Sequence, residues 1–556
     1  MNKKSLRAGS LLGGLALSLG AAVLAVVPVA DPPAFAAETG AAVADPIPQR
    51  TEGAGPYNRM VLRNAIIIDG TGAPAQGMVD IVIEGDTISE IAFLGEPKAI
   101  DNSRRPAAGD YDVDLGGAYV MPGFVDSHVH LHTLSDGQGV PSDYILKLWM
   151  SHGVTTVRDV GSGGRPIEWL VDVKERSAAN QIVAPRIEIY PMFHDILGHM
   201  PNSAEEGRMA IRQAKERGAD GVKFIGGPED ALLAAIDEAE KIGLHTTMHH
   251  AQPSVSYADV LDTSAAGLES MEHWYGLPEA MFTDRQLQKW PNDYVNNDEQ
   301  ARFGQAGRLW VQAAEPGSEK WEEVMDTLLE RDFALSPTFT AYLTSRDFMR
   351  MSRARWHEDY TMPALWDWYR PSRTNHGSYW FDWTTEDEMA WKENYRLWMQ
   401  FVNEYKNKGG LVTVGSDSGY IYNLYGFGYM QEMELLREAG FTPLEVIHAA
   451  TQVGAEVLGV DDEVGTIRVG RKADLAIVEG NPLENMKLLF GTGALKLNDE
   501  TGQVVRRGGI AYTVKDGILY DAGALRAEVR DMVAAAKAER GLPEGIMPIA
   551  HIDETE

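Results

Sequence analysis

The sequence predicts an α/β fold, a (β/α)8 TIM-like barrel with a small β-sandwich domain built from the N- and C-terminal segments. In the middle of the chain, short apolar runs alternate with helical stretches, which is typical of a parallel sheet. Near both ends, Val- and Ile-rich runs meet at Gly-Asp turns, which is typical of hairpins. Two such hairpin units at opposite ends of a chain can pair, so we expect one small domain from both termini.

The elements follow from these patterns. Strands are predicted at residues 154–157, 186–190, 221–225, 245–248, 334–337 and 411–414, and helices at 204–217, 228–242, 430–439 and 524–539. We expect a flexible lead-in at 37–56, β-sandwich parts at 57–120 and 465–522, the barrel at 121–464, and a C-terminal helix and tail at 523–556. The central segment has the length of a barrel with insertions.

The composition excludes several classes of function. The 556 residues include 81 Asp and Glu against 50 Lys and Arg, a net charge of −31. Such a surface repels phosphate backbones, so no nucleic-acid partner is expected. The chain has no Cys, which excludes disulfides, thiolate metal sites and cysteine nucleophiles. A homo-oligomer is compatible with this composition.

The N-terminus is typical of a secretory signal peptide. Basic residues open the chain, an uncharged apolar run covers residues 8–30, and residues 34–36 match the Ala-x-Ala cleavage pattern. We interpret residues 1–36 as a cleaved signal and expect an exported protein, periplasmic or secreted. The alternative is an uncleaved anchor. No second long apolar stretch follows, so no stable membrane insertion of the mature chain is expected.

One segment departs from the barrel pattern. Ten of the 13 Trp residues lie between residues 290 and 398, in an insert that we place at about 284–400. These side chains either form the core of an extra helical subdomain or line a lid with an aromatic wall over the site.

Two histidines open the barrel region. Because side chains alternate along a strand, His128 and His130 share a face, and two imidazoles on one face can bind a divalent metal. A pair of structural histidines is the alternative. Further polar side chains sit at or near the ends of predicted strands, where barrels gather their functional groups. These residues are Lys223, His250, His273 and Asp417.

These motifs together resemble the amidohydrolase superfamily. Residues 119–132 are similar to its first-strand signature, 65–72 to its entry hairpin, and 465–482 to its return into the β-sandwich. Residues 218–223 and 272–273 look most like the prolidase and imidazolonepropionase-related branch.

The resemblance implies a site for two divalent metal ions, with zinc as the favoured metal. The implied ligands are His128, His130, Lys223, His250, His273 and Asp417. Lys223 would be carboxylated by CO2 and bridge the ions; the alternative is an ordinary lysine on a barrel strand. His250 is chosen because the family's ligand precedes Ala, and the adjacent His249 is the alternative.

The resemblance also implies the remaining site residues. Asp417 would act as the catalytic base and then as the acid. His199 would contact the substrate or a developing oxyanion, with a surface loop as the alternative. Arg158 follows the second strand and is expected to contact substrate or orient the site. Prolidase-like members often carry Tyr shortly after the strand-five histidine to hold a substrate carboxylate, whereas in this chain Ala251, Gln252 and Pro253 follow His250, which puts a carboxylate substrate in question. Gln252 and Tyr275 are nevertheless candidate substrate-binding residues.

The implied reaction is hydrolysis of an amide bond in a small molecule by a metal-bridging hydroxide. We expect a dipeptide or N-acyl amino acid, with a bulky or aromatic group if the Trp-rich insert forms a lid. A lactonase, a phosphotriesterase-type hydrolase and a cyclic-amide hydrolase are alternatives on the same site. A deaminase is disfavoured because no Glu follows His250 closely, and a non-enzymatic scaffold because every ligand position is filled.

Overall fold

The computed structural model describes residues 45–96, 98–161, 165–285, 287–378 and 381–545. The expected signal peptide, residues 1–36, lies outside these ranges. Within them, no helix combines the length and apolar character needed to cross a membrane.

The described residues form 18 strands. They are β1 Met60–Ile67, β2 Gln76–Glu84, β3 Thr87–Phe93, β4 Tyr111–Asp114, β5 Tyr119–Pro122, β6 Phe124–Val129, β7 Val154–Asp159, β8 Arg186–Ile189, β9 Gly221–Phe224, β10 His245–Met248, β11 Ser270–Glu272, β12 Ala334–Ser336, β13 Leu411–Val412, β14 Leu475–Val478, β15 Ala494–Asn498, β16 Gln503–Arg507, β17 Ile510–Lys515 and β18 Ile518–Asp521.

The same residues form 16 α-helices. They are α1 Ser142–Met150, α2 Ile167–Ala178, α3 Ala204–Glu216, α4 Glu229–Ile242, α5 Val260–Ala265, α6 Leu277–Ala280, α7 Glu299–Ala306, α8 Glu319–Glu330, α9 Phe339–Ser352, α10 His357–Tyr360, α11 Pro363–Trp368, α12 Thr385–Asn407, α13 Phe427–Ala439, α14 Pro443–His448, α15 Gly454–Val457 and α16 Ala522–Glu539. Short 3-10 turns and one π-helical segment, Ala449–Val453, connect some of them.

Eight parallel strands, β6 to β13, position the candidate site. They form a three-stranded sheet, β6-β7-β8, and a five-stranded sheet, β9 to β13 in sequence order. The Lys223 N–H donates to the Pro191 carbonyl at 3.0 Å, which connects β9 to the chain after β8. The Ser127 N–H donates to the Val414 carbonyl at 2.9 Å, which connects β6 to the chain after β13. Backbone hydrogen bonds therefore link the two sheets on both sides.

The helices between these strands bury one apolar stripe each. In α3 the Ser203 hydroxyl accepts a hydrogen bond from the Glu206 N–H at 3.3 Å, which caps the helix N-terminus. Ala210, Ile211 and Ala214 follow at helical spacing and are fully buried. This packing anchors the helix, and with it the strand that follows.

Both ends of the chain enter one further sheet. Its order is β18-β17-β14-β5-β1-β2-β3, with β4 paired to β1. Strand β14 runs antiparallel to β5 and places Ile477 opposite Val120. Met60, Ile81 and Val514 belong to the separate apolar cluster of this sheet. The strands β15 and β16 form a separate hairpin.

The Trp-rich segment is divided by a strand of the parallel sheet. Helices α6 to α8 lie between β11 and β12, and α9 to α12 lie between β12 and β13. Its most buried indoles belong to Trp310, Trp321, Trp391 and Trp398, which are at most 1% exposed and pack on one another and on neighbouring aromatic rings. These four side chains therefore belong to the core of the segment, as expected if the Trp residues form the core of a helical subdomain.

Candidate metal centre

A pocket of about 330 Å³ opens where the parallel strands end. Its lining residues are His128, His130, Met192, Lys223, Ile225, His249, His273, Arg302, Phe303, Ala341, Tyr342, His376, Asp417, Tyr420 and Ile421. Five of the six predicted metal ligands are in this set, because strand ends bring side chains from distant parts of the chain to one place.

Four of these side chains meet closely. The Nε2 atoms of His128 and His130 each lie 3.4 Å from Asp417 Oδ1. His273 Nε2 lies 3.7 Å from Asp417 Oδ2. Ligand atoms of His128, His273 and Asp417 all lie within 4.8 Å of one another, so the three residues could hold a metal ion. Imidazole and carboxylate are the donors that zinc and similar ions prefer.

The backbone at two of these candidate ligands is strained. His273 has a φ of 56° and Asp417 a φ of 47°, in the left-handed region that side chains other than glycine rarely adopt. Such strain collects at functional sites because the surrounding structure must hold it there. Nearby, a Cβ at Gly415 would lie 2.8 Å from His128 Cβ, so only glycine permits this close approach. The turn after β13 therefore brings Asp417 against the histidines.

The pocket electrostatics suit a cation. Burial by itself raises the pKa of Asp417, but His128, His130 and His273 lower it well below its usual value. Burial lowers the pKa of His273 to about 3. The carboxylate is therefore ionised and the imidazole neutral at pH 7, which are the forms that coordinate a metal.

Glu272 orients His128 from outside the pocket lining. One of its carboxylate oxygens lies 2.5 Å from His128 Nδ1, which directs His128 Nε2 towards the pocket. Its other oxygen accepts hydrogen bonds from Arg158 at 2.8 Å and from the Thr247 hydroxyl at 2.5 Å. Arg158 is buried and does not line the pocket, so the structure contradicts a substrate contact and supports an orienting role.

Lys223 lines the same pocket from β9. Its Nζ is buried and has no hydrogen-bond partner within the described residues, and it lies 3.7 Å from Glu272. Burial lowers the pKa of Lys223 to about 8. A buried ammonium without a hydrogen bond is unfavourable. At pH 7 a larger fraction of Lys223 is therefore the neutral amine than in an exposed lysine, and the neutral amine is the form that reacts with CO2.

The structure contradicts the choice of His250 as a ligand. His250 is fully buried, its Nε2 lies 2.9 Å from the Thr263 hydroxyl, and it does not line the pocket. The adjacent His249 does line it, and its ring centroid lies 4.9 Å from that of His273. Consecutive side chains in extended backbone point to opposite faces, so only one of the pair can reach the site.

Three predicted substrate contacts lie elsewhere. His199 is exposed, with its Nε2 3.7 Å from Glu206, as in the surface-loop alternative. Gln252 is buried beside a different cavity, of about 270 Å³. Tyr275 packs on His249 with ring centroids 5.3 Å apart, but does not line the pocket. The expected roles of these three residues at the pocket are therefore corrected.

The Trp-rich segment supplies pocket residues that the sequence did not indicate. They are Arg302, Phe303, Ala341, Tyr342 and His376. No local motif marks them, because packing of the segment alone brings them to the pocket. Tyr420 was also missed, although it follows Asp417 by three residues and could have been considered for that reason.

The sequence model of the amidohydrolase family matches residues 119–294 and 399–519. The chain belongs to the amidohydrolase family. This membership confirms the resemblance found in the sequence motifs. Most of the Trp-rich segment, residues 295–398, lies outside the match.

Individual relatives cover different shares of this family member. A dihydroorotase from Bacillus licheniformis is 30% identical over 129 residues, which are 22% of this chain and 27% of that protein. The chain thus spans about a quarter of that relative's length. The structure of a Xaa-Pro dipeptidase with bound methionine matches with a TM-score of 0.53 and 19% identity, over 83% of this chain and all of that one. The structure of a bottromycin amidohydrolase matches with a TM-score of 0.56 and 19% identity, over 88% of this chain and 92% of that one. At these identities the two structures show a shared fold.

Proposed function

We propose that this family member is a metal-dependent hydrolase that cleaves an amide bond in a small molecule of the dipeptide or N-acyl amino acid type. One observation carries the proposal. A single pocket at the strand ends collects an ionised carboxylate, a buried lysine and four imidazoles. These groups belong to Asp417, Lys223, His128, His130, His249 and His273.

These residues would hold two divalent ions, with zinc favoured. His128, His130 and Asp417 would bind the first ion, and His249 and His273 the second. Lys223, as a carbamate, would offer one oxygen to each. When bound, such ions lower the pKa of a water molecule and polarise a carbonyl group.

The side chains then perform the proton transfers. Asp417 is ionised and faces three imidazoles, so it would accept the proton of the attacking water and deliver it to the leaving amine. Glu272 holds the His128 ring in place through its 2.5 Å contact. Phe303, Tyr342 and Tyr420 line the pocket with aromatic rings, which would suit a bulky or aromatic substrate group.

Two further proposals concern the whole chain. The eight parallel strands would form one closed barrel, supported by the hydrogen bonds that link the two sheets at both sides. The protein would be exported, since residues 1–36 have the pattern of a signal peptide.

The test uses the chain after residue 36, supplied with zinc and bicarbonate. It is offered dipeptides, N-acyl amino acids, cyclic amides, lactones and a phosphotriester, and products are identified by mass spectrometry. We expect release of a free amine from a linear amide, and loss of that activity in His273→Ala. Turnover of lactones or phosphotriesters alone would overturn the amide assignment. No turnover, together with purification free of bound metal, would indicate a binding scaffold.

A further inference from the structure

Arg302 introduces a positive charge into the pocket from outside the region that the family model matches. It lies on α7, in the part of the chain that the family model does not match. Arg302 lines the same pocket as His249 and His273. The guanidinium therefore belongs to the wall of the cavity in which a substrate would lie.

Most of the hydrogen-bonding capacity of Arg302 is unused. Its NH1 lies 3.3 Å from Glu299, which is its one hydrogen bond within the described residues. Its Nε is buried and has no partner there, while 18% of the side chain remains exposed. A guanidinium has five N–H donors in a planar fork that matches a carboxylate with two parallel hydrogen bonds. A hydrogen-bond acceptor on a molecule bound in the pocket would pair with these free donors.

Glu299 fixes this arrangement on the pocket wall. Its second carboxylate oxygen lies 3.1 Å from Nδ1 of His376, which also lines the pocket. Glu299 thus contacts both Arg302 and His376 and leaves Arg302 Nε without a hydrogen-bond partner within the described residues. The net charge of the chain, −31, gives no general attraction for anions, so recognition here must be local.

We infer that Arg302 recognises the carboxylate of the substrate and so selects dipeptides and N-acyl amino acids over neutral amides. The inference rests on the proposed hydrolase function. It identifies the carboxylate as the part of the substrate that the Trp-rich segment binds. It also supplies the carboxylate contact for which Gln252 was an unsuitable candidate, since Gln252 lies at another cavity.

The experiment compares two substrates with the same scissile bond. One carries a free carboxylate, for example N-acetylphenylalanine, and the other is its carboxamide. Wild-type metal-loaded enzyme should show a higher kcat/KM for the carboxylate by about 10- to 100-fold, the range of a charged hydrogen bond. In Arg302→Gln this ratio should fall towards one, mainly through KM.

Arg308→Gln is the matched control. Arg308 follows α7 and pairs with Asp387 at 2.8 Å, and it does not line the pocket, so the ratio should stay at the wild-type value. Equal kcat/KM for both substrates in the wild type would overturn the inference. So would an Arg302→Gln variant that loses both activities to the same extent.

A binding measurement separates this inference from the proposed function. Calorimetric titration with 3-phenylpropionate and with its amide needs no turnover. We expect weaker binding of the anion by Arg302→Gln than by the wild-type enzyme, and no such change in Arg308→Gln. Unchanged anion binding would overturn the inference even if the enzyme cleaves amides. Failure of every amide substrate, with anion binding still dependent on Arg302, would overturn only the hydrolase proposal.

Discussion

His128 Nδ1 lies 2.5 Å from a carboxylate oxygen of Glu272, on the side of the imidazole ring that faces away from Asp417. This contact leaves Nε2 free to face the pocket. It also connects the first predicted ligand, on β6, to β11, a strand that does not pair with β6. Outer carboxylates of this kind orient metal-binding histidines and raise their basicity.

Glu272→Gln should therefore weaken metal binding. The substitution keeps the shape of the side chain and removes its charge, so we expect metal affinity to fall about 10- to 100-fold. Competition with a coloured chelator measures this change. Glu269→Gln is the control, because Glu269 is exposed and binds His245 at 2.9 Å, away from the pocket. Equal affinities in the two variants would show that the Glu272 contact does not support the site.

Substitution of His249 by Ala should change the metal content, whereas substitution of His250 by Ala should change the stability. His249→Ala should lower the bound metal from about two ions per chain to about one, since its ring is a proposed ligand. His250→Ala should keep the metal and lose about 1–3 kcal/mol of stability, since Thr263 loses its buried partner. Elemental analysis and thermal unfolding measure the two quantities. The reverse pattern would restore His250 as the ligand.

Carboxylation of Lys223 is directly observable. Protein loaded with zinc in ¹³C-bicarbonate should show a carbamate signal by NMR that is absent from Lys223→Met. Lys147→Met is the control: Lys147 is also largely buried, but contacts the carboxylates of Glu52 and Glu528 and stays charged. A signal that survives in Lys223→Met would assign the carbamate to another residue.

His357 should contribute to acid sensitivity. Burial lowers its pKa to about 4, so the folded protein keeps the ring neutral while the unfolded chain takes up a proton near pH 6.5. Stability is therefore lost as the pH falls from about 6.5 to 4, by about 3 kcal/mol for this group. In His357→Gln the unfolding free energy should fall less steeply across this window. An unchanged slope in denaturant titrations at several pH values would contradict the assignment.

The sequence predicts local elements well because their signals are local. The helix expected at 204–217 is α3, Ala204–Glu216, and the strand expected at 221–225 is β9, Gly221–Phe224. Both elements were predicted from the spacing of their apolar residues. Alternation likewise places His128 and His130 together, because His128 lies in β6 and His130 directly follows its last residue.

The errors arise where the signal is not local. Alternation shows that only one of His249 and His250 can face the site but not which one, and the family motif favoured His250, which does not line the pocket. Arg302 and His376 reach the pocket through packing of the Trp-rich segment, which no short-range pattern encodes. His199 matched a family loop by its neighbours, but its side chain faces solvent.

The pairing of β5 with β14 has a consequence for the order of events during synthesis. Strand β5 leads through one glycine into β6, the strand that carries His128. Its partner β14 is made roughly 350 residues later, so β5 has one open edge until most of the chain exists. The sheet next to β6, the strand that carries His128, is thus completed only when β14 has been synthesised. Chains that stop short of β14 would carry the residues of the centre without its finished framework.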